Sequence, residues 1–306
     1  MAARDGDGWA LCGRGHTHWG VHGASGLLAV HYDPGGTPHI LMQKRALWSH
    51  HGGTWGLPGG ALDSHEDAVT GAMREALEEA ALRGEGLRVL GVYTDDHGGW
   101  SFQTVIAEAD ALFPAAPANG ESTDMRWLPV DQISGEMWRA ADEVAEEALH
   151  PGFAETWPDI KSALPPSVVV IDAANVVGAR AEHGWWRDRA GATRRLLEDV
   201  EDAVQHGLRP PEGFPAPDMW FPRVLMIVEG AAKGVRSDGR VTVIEAPGSG
   251  DDAIVETVRE IRETRPWERV LVVTADRELR RRVRELGAEV TGPGWLLGQL
   301  RPRGRV

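Results

Sequence analysis

Two α/β domains in tandem are the architecture this sequence predicts, and three observations carry the prediction. In the first half, short apolar runs surround two helical stretches, one of them (64–82) free of proline. In the second half, the runs 168–171, 224–228, 241–245 and 270–274 are rich in β-branched residues, and the last two lead into helical patterns. Continuous apolar strands alternating with helices imply a parallel, Rossmann-like sheet. Between the halves, residues 150–166 carry four prolines, the composition of a connector. The expected boundaries are a domain at 1–150, a linker at 151–166 and a second domain at 167–306.

Composition agrees with this division. A length of 306 residues suits two domains of ordinary size, and 42% apolar residues suffice for two cores. No run of about 18 apolar residues occurs, so no membrane span or membrane partner is expected. The first residues lack the charged-then-apolar layout of a signal peptide. Cys12 is the single cysteine, so no internal disulfide is possible. Together these place the expected protein in the cytoplasm. The net charge of −14 is uneven: residues 1–150 hold 9 basic against 22 acidic residues (−13), and residues 151–306 hold 23 against 24 (−1). Such asymmetry points to two units with different partners.

Along the chain, residues 1–22 are rich in Gly, His and Trp. Cys12, His16 and His18 have the chemistry of zinc ligands, but no fourth ligand stands at a regular spacing, so a loop with surface histidines is expected. Residues 24–33 and 38–45 read as strands around the turn Pro34-Gly35-Gly36. The Gly/Pro-rich segment 50–58 then delivers the chain onto the helix. Ser64 is the expected N-cap, Asp67 its capping-box partner and Gly84 the stop. Strands follow at 87–94, 101–108 and 125–130, with Glu121 and Asp124 in the loop before the last, as a late-loop acid or as turn residues. Residues 131–149 read as an amphipathic helix.

On the helix, Glu75, Glu78 and Glu79 stand at i, i+3 and i+4 and share one face. Like charges at this spacing cost about 0.2–0.5 kcal/mol each, and the helix C-terminus disfavours anions further. Arg74 and Arg83 offset part of this. Such a face is either solvated or holds a hard cation on its carboxylate oxygens. The spacing Gly60, five residues, Glu66, seven residues, Arg74-Glu75, then Glu78-Glu79 and Leu82 resembles the Nudix box, G-x5-E-x7-R-E-U-x-E-E-x-G-U with U aliphatic. Ala81 stands in place of the last glycine, and Ala76 is a small choice for the first U. The resemblance implies an α/β/α sandwich with a mixed sheet and hydrolysis of a nucleoside diphosphate linked to another group, with Mg²⁺ or Mn²⁺. It also implies roles: Glu75, Glu78 and Glu79 on the metal, Gly60 lending backbone, Arg74 orienting the acids, Glu66 bracing the loop–helix junction, and Glu78 as base. Trp48, Trp55 or Trp100 either stacks on a base or belongs to the core.

In the second half, Asp172, Glu229, Asp251, Asp252 and Asp276 fall at the carboxyl ends of the expected strands, where parallel sheets build their sites. Acids there either cap helices or hold metal. The segments DAAN (172–175), GSGDD (248–252) and TADRE (274–278) resemble the NYN branch of PIN-like nucleases. That resemblance implies Asp172, Asp252 and Asp276 as metal-binding acids, Asn175 orienting the first, and Glu229 and Asp251 in support, with RNA as partner and with binding or cleavage as the outcome. Trp185-Trp186-Arg187 either stacks on bases or packs inside. Arg277, Arg280, Arg281, Arg282 and Arg284 form a basic face that either holds phosphates or is solvated. Three functions follow as expectations: a pyrophosphohydrolase with an accessory RNA domain, a ribonuclease with a nucleotide-sensing Nudix half, or a regulator that only binds.

Overall fold

The computed structural model describes residues 4–139, 146–180, 184–237 and 239–300. The chain forms two compact units, Met1–Leu164 with Pro215–Asp218, and Pro165–Phe214 with Met219–Val306.

In the first unit a hairpin of β1 (Trp9–Leu11) and β2 (Thr17–Trp19) precedes the main sheet. Residues 4–22 are therefore not a plain loop, and Cys12 is buried. The sheet is built from β3 (Ala24–Tyr32), β4 (Pro38–Arg45), β5 (Trp55–Gly56), β6 (Gly59–Ala61), β7 (Leu87–Asp96), β8 (Ser101–Ala109) and β9 (Ser122–Pro129). β3 runs parallel to β8 and antiparallel to β4 and β6, while β9 lies antiparallel along β4. The sheet is thus mixed. Asp124 belongs to β9, not to the loop before it, and pairs with Arg126 at 2.7 Å.

Alternation along β3 feeds two cores. Leu27 and Ala29 face the helix α1 (Ala68–Ala80), together with Leu41, Val92 and Val105. Leu28 and Val30 face the opposite side, where Phe153, Trp157 and Ile160 of a second helix, α2 (Pro151–Ala163), close the layer. The residues expected to be a linker are therefore the second helix of the sandwich. Pro151 sits at the start of the helix, where its missing N–H costs nothing. Pro158 lies inside it, a defect of about 3 kcal/mol. Burial of Phe153, Trp157 and Ile160, each contributing about 1.5–3 kcal/mol, outweighs that defect.

The helix expected at 131–149 does not form in the described residues. A short 3₁₀ turn (Val130–Gln132) leads to β10 (Ile133–Ser134), β11 (Met137–Arg139) and β12 (Glu146–Ala148), paired in that order; residues 140–145 of the expected helix lie outside the described residues. Gly135, at φ +56°, makes the turn between β10 and β11 and breaks the helical period.

α1 begins later than expected. Asp67, not Ser64, is the N-cap, accepting from the Thr70 N–H at 2.7 Å, while the Ser64 N–H donates to Asp5 at 2.8 Å. It also ends before Gly84: Ala81 takes the left-handed conformation at φ +55° and donates to the last carbonyls. Because a left-handed alanine costs about 1 kcal/mol, Ala81→Gly is expected to raise unfolding free energy by about that amount. Denaturant melts of both forms measure it, and an unchanged or lower midpoint would refute the strain.

The second unit holds β13 (Ser167–Asp172), α3 (Ala173–Arg180), α4 (Arg189–His206), β14 (Met219–Trp220), β15 (Arg223–Val228), β16 (Val241–Glu245), α5 (Gly250–Thr264), β17 (Arg269–Val273), α6 (Arg277–Glu285), β18 (Glu289–Thr291) and α7 (Pro293–Leu297). Five strands form a wholly parallel sheet in the order β16-β15-β13-β17-β18. β13 is central and buried throughout, as its run of Val and Ile demands. Among the described residues no helix is long and apolar enough to cross a membrane.

Candidate active site

The inner face of α1 is a row of alanines, Ala68, Ala72, Ala76 and Ala80, all buried. Small side chains let the helix lie close to the sheet, which accounts for Ala76 at an aliphatic position of the motif. The same rotation turns Glu75 and Glu79 inward beside that row, toward β6. It leaves Glu78 at the surface, 37% exposed.

β6 is built to receive the two inward acids. The Gly59 N–H donates to Glu79 Oε2 at 2.8 Å. A Cβ at Gly59 would lie 2.6 Å from the Gly26 Cα, and one at Gly60 would lie 2.5 Å from Glu75 Oε1. Backbone therefore approaches carboxylate here with room for nothing but glycine.

Arg74 ties the acids together. Its Nε and Nη2 donate to the two oxygens of Glu66 at 2.7 and 2.8 Å, and Nη2 also donates to the Ala61 carbonyl at 2.9 Å. Nη1 donates to Glu75 at 2.6 Å and lies 3.9 Å from Glu78. Glu66 accepts further from the Asp63 N–H at 3.1 Å, so it fastens the loop to the helix. Glu78 also pairs with Arg4.

Electrostatics separates the glutamates. The Arg74 fork holds Glu66 below the usual carboxylate range. Burial pushes Glu75 up despite Arg74, and burial pushes Glu79 up to about 8. Two deeply placed carboxyls whose charged forms are disfavoured are a site that a cation would relieve. The donors are all oxygens, which suits a hard divalent ion. The residues fit the metal that the motif implies.

Sequence reasoning missed two groups here. Gln43, fully buried on β4, donates to the Ser122 hydroxyl at 2.7 Å and stabilises the Glu79 carboxylate. The Ala118 N–H fixes the Glu79 carbonyl at 2.8 Å, which brings the loop before β9 against the helix, with Glu121 in the field of Glu79. A buried glutamine in an apolar strand, ILMQ, was the available signal. Of the three candidate stacking rings, Trp55 and Trp100 are buried, while Trp48 is 73% exposed in the loop after β4.

In the second unit, Asp172, Glu229, Asp251 and Asp276 meet at the carboxyl edge of the sheet. The strand order reverses between β13 and β17, beside Asp172. Asp172 is 8% exposed and accepts from the Asn175 N–H at 3.0 Å and from Thr274 Oγ1 at 2.9 Å. Asn175 in turn accepts from the Ala275 N–H at 2.8 Å. Burial raises the Asp172 carboxyl, with Asp251 and Glu229 adding repulsion. Burial likewise raises Asp251, followed by the charge of Asp276. Glu229 accepts from the Gly250 N–H at 2.6 Å, and Asp276 caps α6 through the Leu279 N–H at 2.8 Å. Asp252 is turned away from this edge, 70% exposed and paired with Arg282 at 2.7 Å, so Asp251 takes the inward place expected of Asp252. The basic face of α6 is partly neutralised: Arg281 pairs with Glu278 and Glu285. Trp186 is 53% exposed.

Comparison with known proteins supports the first unit. The family model of the NUDIX domain matches residues 24–148. "Putative 8-oxo-dGTP diphosphatase 3" of Mycobacterium tuberculosis is 45% identical over 165 residues, covering 52% of this chain and 70% of that protein. A nucleoside triphosphate pyrophosphatase/Nudix hydrolase fusion protein of Bifidobacterium longum is 44% identical over 132 residues, 42% of this chain and 27% of that one. A crystal structure of a Nudix hydrolase from M. smegmatis, 42% identical, covers 51% of this chain and 93% of its own, with a TM-score of 0.43. With the box of residues 60–82 seated on a glycine strand of a mixed sheet, and with the mycobacterial relative 45% identical across 70% of its length, the chain belongs to the Nudix hydrolases and is a pyrophosphohydrolase.

Proposed function

We propose that the first unit hydrolyses the pyrophosphate bond of a nucleoside diphosphate linked to a further group, using Mg²⁺ or Mn²⁺ held by Glu75, Glu78 and Glu79 with the Gly60 backbone. The observation that carries this reading is the pair of inward, charge-disfavoured carboxyls, Glu75 and Glu79, against Gly59 and Gly60. Such an ion supplies charge at the phosphoryl oxygens and a water of lowered pKa. Arg74 keeps Glu75 in place and keeps Glu66 out of the reaction. Glu78, the most exposed of the acids, takes the proton of the attacking water. Trp48 offers a ring to the base. The mycobacterial relative is named for 8-oxo-dGTP, and that name supports testing oxidised purine triphosphates first. The test is pyrophosphate and phosphate release from a panel of ordinary and oxidised nucleoside triphosphates, ADP-ribose, NADH, dinucleoside polyphosphates and capped RNA. One preferred substrate, turned over only with divalent ion, is expected; no turnover on any would contradict the reading.

For the second unit we propose a PIN-like, metal-dependent ribonuclease centred on Asp172, Asp251 and Asp276, supported by their meeting at the reversal of strand order. Asp172→Asn keeps the hydrogen-bonded shape, and it is expected to remove Mn²⁺-dependent RNA cleavage by at least about 100-fold. Cleavage that survives the substitution would place the activity elsewhere. Binding without cleavage by the unaltered chain would favour a regulatory role.

A further inference from the structure

The hairpin turn between β1 and β2 and the turn between β7 and β8 bring four metal-binding side chains together, far apart in sequence. Cys12, His16, His18 and His97 place one ligand atom each within 4.8 Å of one another. Cys12 is 5% exposed and His97 9% exposed. His18 Nε2 and His97 Nδ1 are buried with no hydrogen-bond partner. The other nitrogen of His97, Nε2, is already committed to Asp95 Oδ2 at 2.7 Å. That carboxylate fixes the ring so that Nδ1 is the atom presented to the cluster.

The backbone is arranged to hold these side chains. The Cys12 N–H donates to the His16 carbonyl at 2.9 Å and the Gly15 N–H to the Cys12 carbonyl at 3.0 Å, which curls the turn around the thiol. The Gly13 N–H reaches across to the Gly98 carbonyl at 2.6 Å, joining the two turns. His18 stacks on Trp100 with ring centroids 3.9 Å apart and planes 10° from parallel, and Trp100 Nε1 donates to the Gly20 carbonyl at 2.9 Å. A buried nitrogen without a partner costs about 1–3 kcal/mol, and two of them in one cluster with a thiol are unexplained by the protein's own hydrogen bonds.

We propose that Cys12, His16, His18 and His97 bind one zinc ion as a closed, four-coordinate structural site. The residue types select the metal. Thiolate and imidazole suit zinc, while the carboxylate face of α1 suits harder ions, so the two sites do not compete for one cation. Zinc bond lengths of about 2.0–2.3 Å set tetrahedral ligand atoms roughly 3.3–3.8 Å apart, against the 4.8 Å within which the four atoms of the cluster lie. Four protein ligands leave no open position, so the ion clamps the β1–β2 hairpin to the β7–β8 turn and takes no part in hydrolysis. Asp95 positions His97 as a carboxylate behind a metal-bound imidazole. The missing fourth ligand of the Cys12-His16-His18 set is thus supplied from 79 residues beyond His18 (97 − 18).

The test uses the full chain, free of any affinity tag, loaded with zinc and desalted before elemental analysis. About one zinc per chain is expected, falling below about one-tenth in the Cys12→Ala/His97→Ala double variant. His50→Ala/His51→Ala removes part of the separate surface cluster of His50, His51 and His150 and is expected to keep the zinc. Asp95→Asn is expected to weaken zinc about 10–100-fold in competition with a chromophoric chelator. Because the double variant can fail to fold, cobalt substitution of the unaltered chain gives an independent reading. Visible bands of a tetrahedral, thiolate-bound cobalt ion are expected. Less than about a tenth of an equivalent of zinc in the unaltered chain, or full zinc in the double variant, or cobalt bands absent, would each overturn the site.

Discussion

Glu78→Gln is expected to lower turnover of the preferred nucleotide by about 10²–10⁴-fold, the range a positioned proton acceptor contributes. The same change is expected to move unfolding free energy by about 0.5 kcal/mol or less. Both parts rest on position. Glu78 is at the surface, and its partners are Arg4 and, at 3.9 Å, Arg74. The glutamine keeps the shape and loses the charge. Pyrophosphate release with excess divalent ion gives the first number, and urea melts give the second. Turnover within about threefold of the unaltered chain would remove Glu78 from the reaction.

Arg74→Met is expected to show the opposite balance, with a large loss of stability as well as activity. Arg74 makes four hydrogen bonds of 2.6–2.9 Å, to both oxygens of Glu66, to Glu75 and to the Ala61 carbonyl. The Glu66 and Glu75 side chains are only 4% and 9% exposed. Removing one partner of a buried ion pair costs about 3–5 kcal/mol because the remaining charge is left uncompensated. Here two acids are stranded at once, and each is expected to take up a proton at a higher pH than before. We expect a loss of about 3 kcal/mol at pH 7, partly recovered by adding Glu66→Gln. A loss below about 0.5 kcal/mol would mean that the fork is ornamental to the fold.

How much of this was readable in the sequence differs from element to element. The acidic helix was readable because its polar residues are fixed by chemistry, and chemistry leaves a spacing. Its ends were not, because Ser64, Asp67, Ala81 and Gly84 all have the composition of caps, and only the sheet decides which turn is helical. Ala81 is the sharper case: a residue that rarely adopts positive φ ends the helix ahead of the glycine that adopts it freely. Helix α2 was hidden by its prolines, although Phe153, Trp157 and Ile160 already stood at i, i+4 and i+7. Burial of that face, a tertiary term, decided the outcome over local propensity. The stretch 131–149 failed the other way, with an amphipathic period cut by one glycine at a positive φ. In the second unit the β-branched strands announced a parallel sheet. They did not announce which of Asp251 and Asp252 turns inward, because adjacent residues at a helix start differ in facing by about 100°. His97 could not be assigned to Cys12, His16 and His18 by any local spacing, since the sheet brings it there.

The glutamate face of α1 is proposed to hold the divalent ion of the pyrophosphohydrolase. The most direct test is a Mn²⁺ titration of the full chain followed by electron paramagnetic resonance, compared with Glu75→Gln, Glu78→Gln and Glu79→Gln. Mn²⁺ favours oxygen donors and so does not report on the thiolate–imidazole cluster, and all four proteins carry Asp172→Asn and Asp251→Asn so that the carboxylate edge of the second unit does not contribute. Bound Mn²⁺ is expected with α1 unaltered, weakened at least about tenfold by each glutamate substitution, with turnover falling in step. Mn²⁺ bound equally well by all four proteins would contradict it, because the ion would then sit elsewhere and the acids would be structural.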